Sequence, residues 1–323
     1  MILFLTNRED ITTDIIINRL NSMKVPYYRL NTELLVDSVG FNFDICSNSY
    51  FLLDYSKNLK IDLNKIKSVY YRRPKIPEFN NGSLSENEKI FIKNETAYMI
   101  EGLYKILSNK FWLSPVFSIR EAENKIYQLI LAKKLGFEIP FSLITSIDKY
   151  ARKFVEENKY DCIIKPIKSG LIGSVDNAKV VFTSAIKDEQ IDSLYRVNKY
   201  PTFFQNRIHK QADVRVTIVG TKIFAAKIYS QEYEETKVDW RRGNNTKLKY
   251  EVYNLNNELT EKCLSLTRYL NLNYGAIDFV ENEDGELIFL EINPNGQWGW
   301  IEKRLNYDIS GEIIKLLIEG KIT

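Results

Sequence analysis

Three oxygen-bearing side chains near the C-terminus have the types and spacing of a metal site. Asp278 lies in one apolar run, Glu291 and Asn293 lie in the next, and Asp284-Gly285 separates the two runs. Asp-Gly between apolar runs predicts a hairpin with a two-residue turn. That turn pairs residue 283 with residue 286, and therefore Asp278 with Glu291. Directly opposed residues share one side of a sheet, with Cβ atoms ~4.5–5.5 Å apart, and Asn293 shares that side too.

Two carboxylates at that separation repel each other unless a cation lies between them. Oxygen ligands suit Mg²⁺, which proteins usually hold together with nucleotide phosphates. We therefore interpret Asp278, Glu291 and Asn293 as magnesium ligands beside a nucleotide. The alternative is that they are solvated strand residues, and the apolar neighbours of each carboxylate argue against it. Replacing Asp278 or Glu291 with Ala should abolish activity, because a metal ligand is lost. Thermal stability should stay nearly unchanged or rise, because the repulsion between the carboxylates is relieved.

The composition indicates a folded protein whose net charge is too small to attract nucleic acid or membranes. The chain has 323 residues, 44% of them hydrophobic, which is enough for two or three domains. Its net charge is +3 from 45 basic and 42 acidic residues, so we expect no nucleic-acid or membrane partner. No apolar run approaches the ~20 residues that span a bilayer. Cys46, Cys162 and Cys263 show no paired spacing, and we expect a reduced, cytoplasmic protein.

The chain contains a single histidine, His209. This excludes His-rich metal sites and argues against Ser-His-Asp or Cys-His catalysis. Because His209 lies in a polar connecting stretch, we expect a solvated loop residue rather than a general base. The chemistry must then depend on metal, lysine, arginine and carboxylate groups.

Up to about residue 110, strand and helix patterns alternate, which is typical of an α/β layer. Ser85-Glu86-Asn87-Glu88 is a capping box, which predicts a helix through about Leu107. We expect the inner face of this helix to include Tyr98, Leu103, Ile106 and Leu107. The other elements predicted here are strands at 2–5, 25–30, 51–55 and 68–71 and a helix at 11–20.

A second capping box, Ser118-Ile119-Arg120-Glu121, predicts a helix that ends at Gly136 and carries Ile126, Leu129 and Ile130 on one side. No Gly-rich phosphate fingerprint follows the first strand, so a dinucleotide-binding Rossmann domain lacks its main support. The remaining predicted elements are strands at 141–145, 161–165 and 179–183, helices at 148–158 and 260–270, and a hairpin of 214–219 with 223–228.

Lys165 ends an apolar strand, where a charge is costly unless an anion pairs with it. The following loop contains Ser169-Gly170 and Gly173-Ser174, which allow close backbone approach and offer N–H groups to phosphate. The alternative is a surface lysine that leaves the sheet. Lys125 taken alone is typical of a solvated helix lysine.

Asp213 and Arg215 place two charges on one face of a predicted strand. One interpretation is a surface ion pair. The other assigns Asp213 to a ribose hydroxyl and Arg215 to a transferring phosphoryl group.

Together these positions resemble the ATP-grasp carboxylate–amine ligases over most of the chain. The resemblance implies a mixed α/β (α+β) ATP-grasp fold. Its parts would be an N-terminal α/β pre-grasp domain (1–115), a small central lid domain (116–200) and a C-terminal grasp domain (201–323).

The same resemblance implies ATP and Mg²⁺ as cofactors and assigns their contacts. The phosphates would be held by Lys125, Lys165 and the loop at Ser169. Phe203-Phe204-Gln205-Asn206-Arg207-Ile208 resembles the adenine hinge, in which Gln205 and backbone near Ile208 meet the base. The broader family usually has Glu in the polar pair of this hinge, where this chain has Gln205-Asn206. Asp213 would bind the ribose, and Asp278, Glu291 and Asn293 would bind the metal.

Three segments have a narrower resemblance, to the microviridin-type graspetide synthetases. They are Val69-Tyr70-Tyr71-Arg72-Arg73-Pro74, Val238-Asp239-Trp240-Arg241-Arg242 and Asn293-Pro294-Asn295-Gly296-Gln297-Trp298-Gly299-Trp300-Ile301-Glu302, the last being the most specific. The resemblance implies a ribosomal precursor peptide with a leader segment as partner. It also implies ester or amide cross-links from Asp or Glu to Ser, Thr or Lys through an acyl phosphate. Arg215 and Arg241 would neutralise that intermediate, and we expect a homodimer.

Two other classes stay open. One is a ligase that joins a free amino acid or small amine to a carboxylate, and the other is a binding module without catalysis. For a peptide substrate, Lys187-Asp188-Glu189-Gln190-Ile191-Asp192-Ser193-Leu194-Tyr195 could form a helix with an apolar strip and an acidic rim for leader docking. Alternatively, that strip packs on its own sheet.

Overall fold

The structure, a computed structural model, describes residues 1–77, 79, 84–168, 170–172, 179–241 and 247–322. The strands are β1 Ile2–Thr6, β2 Tyr27–Asn31, β3 Val39–Asp44, β4 Ser49–Asp54, β5 Leu59–Asp62, β6 Ser68–Tyr71, β7 Phe111–Trp112, β8 Ser142–Thr145, β9 Cys162–Lys165, β10 Leu171–Ile172, β11 Lys179–Val180, β12 Ser184–Ala185, β13 Thr202–Asn206, β14 Lys210–Val219, β15 Lys222–Ile228, β16 Tyr250–Val252, β17 Tyr274–Asn282 and β18 Leu287–Asn293. The helices are α1 Ile11–Ser22, α2 Glu86–Ile106, α3 Val116–Ala122, α4 Lys125–Lys134, α5 Asp148–Glu157, α6 Asp188–Ile191, α7 Asn257–Tyr269, α8 Gly299–Leu305 and α9 Ile309–Glu319. None of the helices in these ranges is long and apolar enough to span a membrane.

The N-terminal part is a parallel sheet of order β2-β1-β6-β7 with helices on both faces. Alternation along β1 explains the two layers, because successive side chains of a strand point to opposite faces. Leu3 and Leu5 join the cluster beneath α2, whereas Ile2 and Phe4 pack with residues of α1 and α9. The C-terminal helix therefore covers one face of the first sheet. A separate antiparallel sheet, β3-β4-β5, lies alongside.

Helix α2 begins where its capping box predicts. Ser85 accepts a hydrogen bond from the Glu88 N–H, and the Glu88 carboxylate accepts one from the Ser85 N–H. The buried side of the helix includes Ile100 and Leu103. The expectation that Tyr98 faces the core is wrong, since Tyr98 is 84% exposed. It lies two residues from Ile100, which places it on the opposite side of a 3.6-residue turn.

The single helix predicted from Ser118 is two helices. Ser118 lies inside α3 and is buried there, so it is not a cap. The chain breaks at Asn124, whose side chain accepts hydrogen bonds from the N–H groups of Ile126 and Tyr127 and begins α4. Of the three apolar residues expected on one side of this helix, Leu129 is buried, whereas Ile126 and Ile130 are exposed. The cap also places Lys125 at the first position of α4.

The central part is an antiparallel sheet of order β12-β9-β13-β8 covered by α5. Strand β9 lies beside β13, with Lys165 opposite Phe203. The predicted strand at 179–183 is wrong in extent. Only Lys179–Val180 is strand and pairs with β10, while Ser184–Ala185 returns to pair with β9.

The C-terminal part is an antiparallel sheet of order β16-β15-β14-β17-β18. The hairpin predicted over Gly220 is confirmed as β14 and β15, and the predicted helix after it is α7. One face of this sheet packs against α3, α4 and α7 through a cluster that includes Leu129, Val216, Leu266 and Phe289. The opposite face of β14, β17 and β18 carries the charged residues Asp213, Arg215, Asp278 and Glu291, which belong to the candidate active site.

Candidate active site

Asp278 lies directly opposite Glu291, as predicted, although the route to this register differs. The turn has three residues, because the Asn282 N–H donates to the Glu286 carbonyl at 3.0 Å. Gly285 adopts φ 81°, a left-handed conformation suited to glycine. The longer turn shifts the pairing of β17 with β18 by one residue. A bulge on β18 at Leu290, between Phe289 and Glu291, shifts the pairing back. The two departures cancel, so the carboxylates remain opposed.

Cations of the chain itself neutralise these carboxylates. The Arg215 guanidinium donates to both oxygens of Asp278 at 2.7 and 2.6 Å, and the Lys125 ammonium lies 3.0 Å from Glu291. The Asn293 amide donates to Asp278 at 2.9 Å and to Glu291 at 3.4 Å. These ion pairs remove the basis for expecting a gain in stability when a carboxylate is deleted.

Burial disfavours the charged form of Glu291, but the positive charges of Lys125, Lys165 and Arg241 hold its pKa at about 2. Glu291 is therefore ionised throughout the neutral range. Stability that depends on this group is present above pH 4.5, the ordinary pKa of Glu, and is lost as the pH falls toward 2.

A cleft of about 350 Å³ lies between the central sheet and the C-terminal sheet. Nine of the residues predicted to bind nucleotide or metal or to act in catalysis line it: Lys125, Lys165, Gln205, Ile208, Asp213, Arg241, Asp278, Glu291 and Asn293. Arg215 lines a neighbouring cleft instead. Ser169 lies outside the described residues, so its predicted phosphate contact stays a prediction.

Gln205 carries an unused hydrogen-bond acceptor in the wall of this cleft. The Ser142 hydroxyl donates to the Pro140 carbonyl at 2.8 Å, and Gln205 Nε2 donates to the same hydroxyl at 2.7 Å. Gln205 Oε1 is buried and has no partner among the described residues. A buried acceptor without a donor is unfavourable, and an exocyclic amine such as that of adenine would satisfy it.

Asp213 and Arg215 are buried on β14, and they do not pair with each other. The Asp213 carboxylate accepts a hydrogen bond from the Lys210 ammonium at 2.6 Å, whereas Arg215 binds Asp278. Burial raises the pKa of Asp213 despite this ion pair. The interpretation of the two residues as a surface ion pair is therefore wrong.

A second cleft, of about 760 Å³, meets the first at the carboxylates. Lys125, Lys168, Trp240, Arg241, Asp278, Glu291 and Asn293 line both. Trp300 lies on the wall of the second cleft and packs against Trp240 and Tyr250, with ring centroids 5.3 Å apart in each pair. Asp278, Glu291 and Asn293 thus lie where a group bound in the first cleft would approach one bound in the second.

The sequence analysis missed several residues that shape this junction. Asp239 accepts hydrogen bonds from Arg241 Nε at 2.8 Å and from Nη2 at 2.9 Å, and so orients that guanidinium. Gln128 exchanges hydrogen bonds with the backbone of Ile292 and so fixes β18 between Glu291 and Asn293. A polar residue on the inner face of α4 was the available signal for Gln128. The contact of Lys210 with Asp213 could not be read from the sequence, because it depends on a bulge in β14 between Lys210 and Ala212.

Two other expectations concern residues away from the junction. His209 is exposed, as predicted, and lies 2.7 Å from Asp161. In the proposed docking segment, Leu194 is buried and Ile191 packs against the core of the central sheet. Much of the apolar strip therefore faces its own sheet, which favours the alternative interpretation. Tyr195 stays exposed.

The donor set at the junction suits Mg²⁺. Among the described residues no group of three or more His, Cys, Asp or Glu side chains could hold a metal. Two carboxylates and one amide converge at the junction instead. Mg²⁺ is usually held by one or two carboxylates together with phosphates and water.

Family models match almost the whole chain. A model described as a RimK-like ATP-grasp domain matches residues 122–317, and one described as an MvdD pre-ATP grasp domain matches residues 1–120. Among curated proteins, MG012 of Mycoplasma genitalium is 31% identical over 108 residues, 33% of this chain and only 36% of that protein's length. The α-aminoadipate–LysW ligase LysX of Sulfurisphaera tokodaii is 19% identical over 74% of this chain and 84% of its own.

Solved structures resemble the chain over its full length. Macrocyclase MdnC bound with precursor peptide MdnA, from Microcystis aeruginosa, is 28% identical with a TM-score of 0.87, covering 99% of this chain and 100% of its own. An ATP-grasp ligase from Chryseobacterium gregarium, described as RiPP-associated and in complex with ADP and a leader and core peptide, is 25% identical with a TM-score of 0.89 over 99% and 97% of the chains. The expected α/β ATP-grasp fold is thereby confirmed. The chain belongs to the RimK-like ATP-grasp family and carries an MvdD-type pre-ATP-grasp domain in front of the family's domain.

Proposed function

We propose that this protein uses ATP to cross-link side chains of a ribosomal precursor peptide, forming esters or amides between Asp or Glu carboxylates and Ser, Thr or Lys. The observation that carries the proposal is the meeting of two clefts at Asp278, Glu291 and Asn293. One cleft has the features of a nucleotide site, and the other is a larger cleft lined by cations and aromatic rings. Similarity to MdnC and to the Chryseobacterium gregarium ligase, both described with bound peptides, supports a peptide substrate.

The nucleotide assignment rests on the first cleft. The unused acceptor of Gln205 suits an adenine amine, and Lys125 and Lys165 lie where phosphates would approach the carboxylates. Asp213 is the acceptor available to a ribose hydroxyl. Asp278, Glu291 and Asn293 would hold magnesium, which when bound neutralises phosphate charge during transfer.

The reaction has two steps. A substrate carboxylate attacks the γ-phosphorus of ATP, and ADP leaves, which produces an acyl phosphate. A hydroxyl or amine of the same peptide then attacks the acyl carbon, and phosphate leaves with the electron pair of the broken C–O bond. Arg215 and Arg241 border this position and would stabilise the charge that develops on the transferring group.

The test begins with a search of the reading frames beside the gene for a short peptide rich in Ser, Thr, Lys, Asp and Glu, which is then used as the substrate. Incubation with ATP and Mg²⁺ should remove the mass of one water for each cross-link, and hydroxylamine should trap the acyl phosphate as a hydroxamate. ATP turnover with a free amino acid, and none with the peptide, would instead identify a ligase for small substrates.

We further propose that the protein works as a homodimer in the cytoplasm, where precursor peptides and ATP are available together. The segment 187–195 remains our candidate for leader docking, carried by its acidic residues and by Tyr195. Sedimentation at working concentrations and the effect of charge reversal at Glu189 and Asp192 on peptide affinity test these two points.

Lys165 should make nucleotide binding depend on pH. Desolvation, together with the charges of Lys125 and Arg241, lowers the pKa of Lys165 to about 8, although Glu291 opposes the shift. Because the unfolded chain holds this proton up to about pH 10.5, the group favours folding increasingly as the pH rises from 8 to 10.5. Bound phosphate should restore the proton, so ATP binding near pH 8.5 should take up a fraction of one proton.

Calorimetry of ATP binding in buffers of different ionisation enthalpy measures that uptake. Lys165→Met should abolish it and weaken binding, and the exposed Lys153→Met serves as the control. Equal proton uptake in wild type and Lys165→Met would remove Lys165 from the phosphate site.

A further inference from the structure

Arg73 combines a strained backbone with a position on the second cleft. It has φ 48°, in the left-handed region that non-glycine residues avoid, and it precedes Pro74, which restricts its backbone further. Strain of this kind persists only where the surrounding structure enforces it, and it concentrates at functional sites. Arg73 is among the residues that line the second cleft.

The surroundings of Arg73 do enforce this conformation. Its neighbour Arg72 is 1% exposed and donates to the carbonyls of Asn295 and Gly296 at 3.0 and 3.1 Å. Further bonds run from Arg72 to Gln297 at 2.8 Å and to the Thr12 hydroxyl at 3.0 Å. This guanidinium joins the first sheet to the loop that follows the ligand Asn293.

The carbonyl of Arg73 is held as well, because Asn7 Nδ2 donates to it at 2.7 Å. With Arg72 fixed on one side and Pro74 on the other, the backbone directs the Arg73 side chain toward the cleft.

Among the residues that the structure describes, none supplies a carboxylate partner for the Arg73 guanidinium. Arg73 Nη2 donates to the Asn295 carbonyl at 3.2 Å, and no Asp or Glu of the described chain lies within ion-pair distance. The cleft as a whole is cationic: Arg73, Lys125, Lys168, Arg215, Arg241 and Arg304 line it against the carboxylates of Glu123, Asp278 and Glu291. Desolvation and the charge of Arg72 lower the pKa of Arg73, so a bound anion would relieve an unfavourable charge.

The loop 295–296 relates Arg73 to the reaction position. Arg73 contacts Asn295, whereas a Cβ atom added to the next residue, Gly296, would lie 2.6 Å from Arg215 Nη2. The two guanidinium groups therefore approach successive residues of one loop and are separate anion sites. A carboxylate that lies near Arg215 leaves Arg73 available to a second acid close by on the same peptide.

We propose that Arg73 binds a carboxylate of the substrate peptide that is not itself activated, so that the enzyme selects an acidic residue next to its reaction site. This inference rests on the proposed function and adds a specificity site to it. Arginine suits the role because its fork binds carboxylates through two parallel hydrogen bonds.

A double-mutant cycle between enzyme and peptide tests the proposal. In a precursor peptide that the enzyme cross-links, each Asp or Glu that does not enter a cross-link is replaced in turn by Asn or Gln, and kcat/KM for hydroxamate formation is measured. With the wild-type enzyme, one of these amides should lower kcat/KM about tenfold. Arg73→Ala should show a similar loss on the native peptide and no further loss on that amide peptide.

The controls separate selection from structure and from the chemistry. Arg73→Ala should keep the thermal midpoint and the KM for ATP, Arg73→Lys should retain part of the selectivity, and Lys75→Ala, two residues away, should behave as wild type. An equal loss on every peptide would place Arg73 on the reacting carboxylate and overturn the proposal, as would an effect below twofold. If the wild-type enzyme forms no hydroxamate with any peptide, the proposed function itself fails, and the inference fails with it.

Discussion

Asp278→Ala will abolish cross-linking and will also lower the stability of the fold. The substitution removes a proposed metal ligand, for which we expect a loss of at least about a hundredfold in kcat. It also leaves Arg215, which is 7% exposed, without the carboxylate that accepts hydrogen bonds from its Nη1. Removing one member of a buried ion pair typically costs about 3–5 kcal/mol, because the other charge stays buried and uncompensated. Urea unfolding and turnover assays measure the two effects.

The double variant Asp278→Ala, Arg215→Met separates the two contributions. It removes both charges, so it should recover much of the lost stability while activity stays absent. If the single variant were as stable as wild type, repulsion from Glu291 would outweigh the pair with Arg215, as the sequence alone suggested. Full activity in either variant would remove the metal assignment.

Arg241→Ala is expected to lower kcat by about a hundred- to a thousandfold, with a small effect on the KM for ATP. The Arg241 side chain is 52% exposed, lies 3.8 Å from Glu291 and is oriented by Asp239. Its charge lies at the junction of the clefts, where an acyl phosphate would form. The guanidinium is half exposed, but the Asp239 carboxylate that it pairs with is only 4% exposed. Loss of this partner should therefore lower the free energy of unfolding by about 1–3 kcal/mol.

Asp239→Asn provides a second measure of the same effect. It keeps Arg241 but weakens its orientation, so kcat should fall by a smaller factor than in Arg241→Ala. Arg268→Ala, on the exposed side of α7, is the matched control. A change confined to KM in Arg241→Ala would assign Arg241 to ground-state binding and would exclude the catalytic role.

Local sequence signals predicted those helices, strands and turns that are determined by residues close together in the sequence. The capping box at Ser85, the strand 68–71 and the hairpin over Gly220 depend on neighbouring residues, and they are confirmed. The prediction that a helix begins at Ser118 is wrong, because this apparent capping box lies inside α3. Asn124 supplies the cap of the next helix, α4, instead. The prediction that Tyr98 faces the core is wrong, because large apolar side chains are common on protein surfaces and the sequence pattern does not distinguish them from core residues.

The candidate site was predictable in its residue types and less so in its contacts. Nine of the predicted residues line one cleft. Strand alternation explains only part of this agreement, because it places Glu291 and Asn293 on the same face whatever the loops do. The bulge beside Leu290 and the three-residue turn could not be predicted, and the register survived because these two changes cancel.

By itself, the sequence determined the chemistry available to this protein: opposed carboxylates, two lysines, a pair of arginines and almost no histidine. Only the tertiary structure decided which charge neutralises which. Arg215 with Asp278, Lys125 with Glu291, and Lys210 with Asp213 are contacts that depend on packing, strand pairing or a bulge. The strained Arg73 likewise depends on the distant loop at 295–297. Charge pairing acts across a few ångströms in space, and residues far apart in sequence reach that distance only when the sheets and helices are assembled.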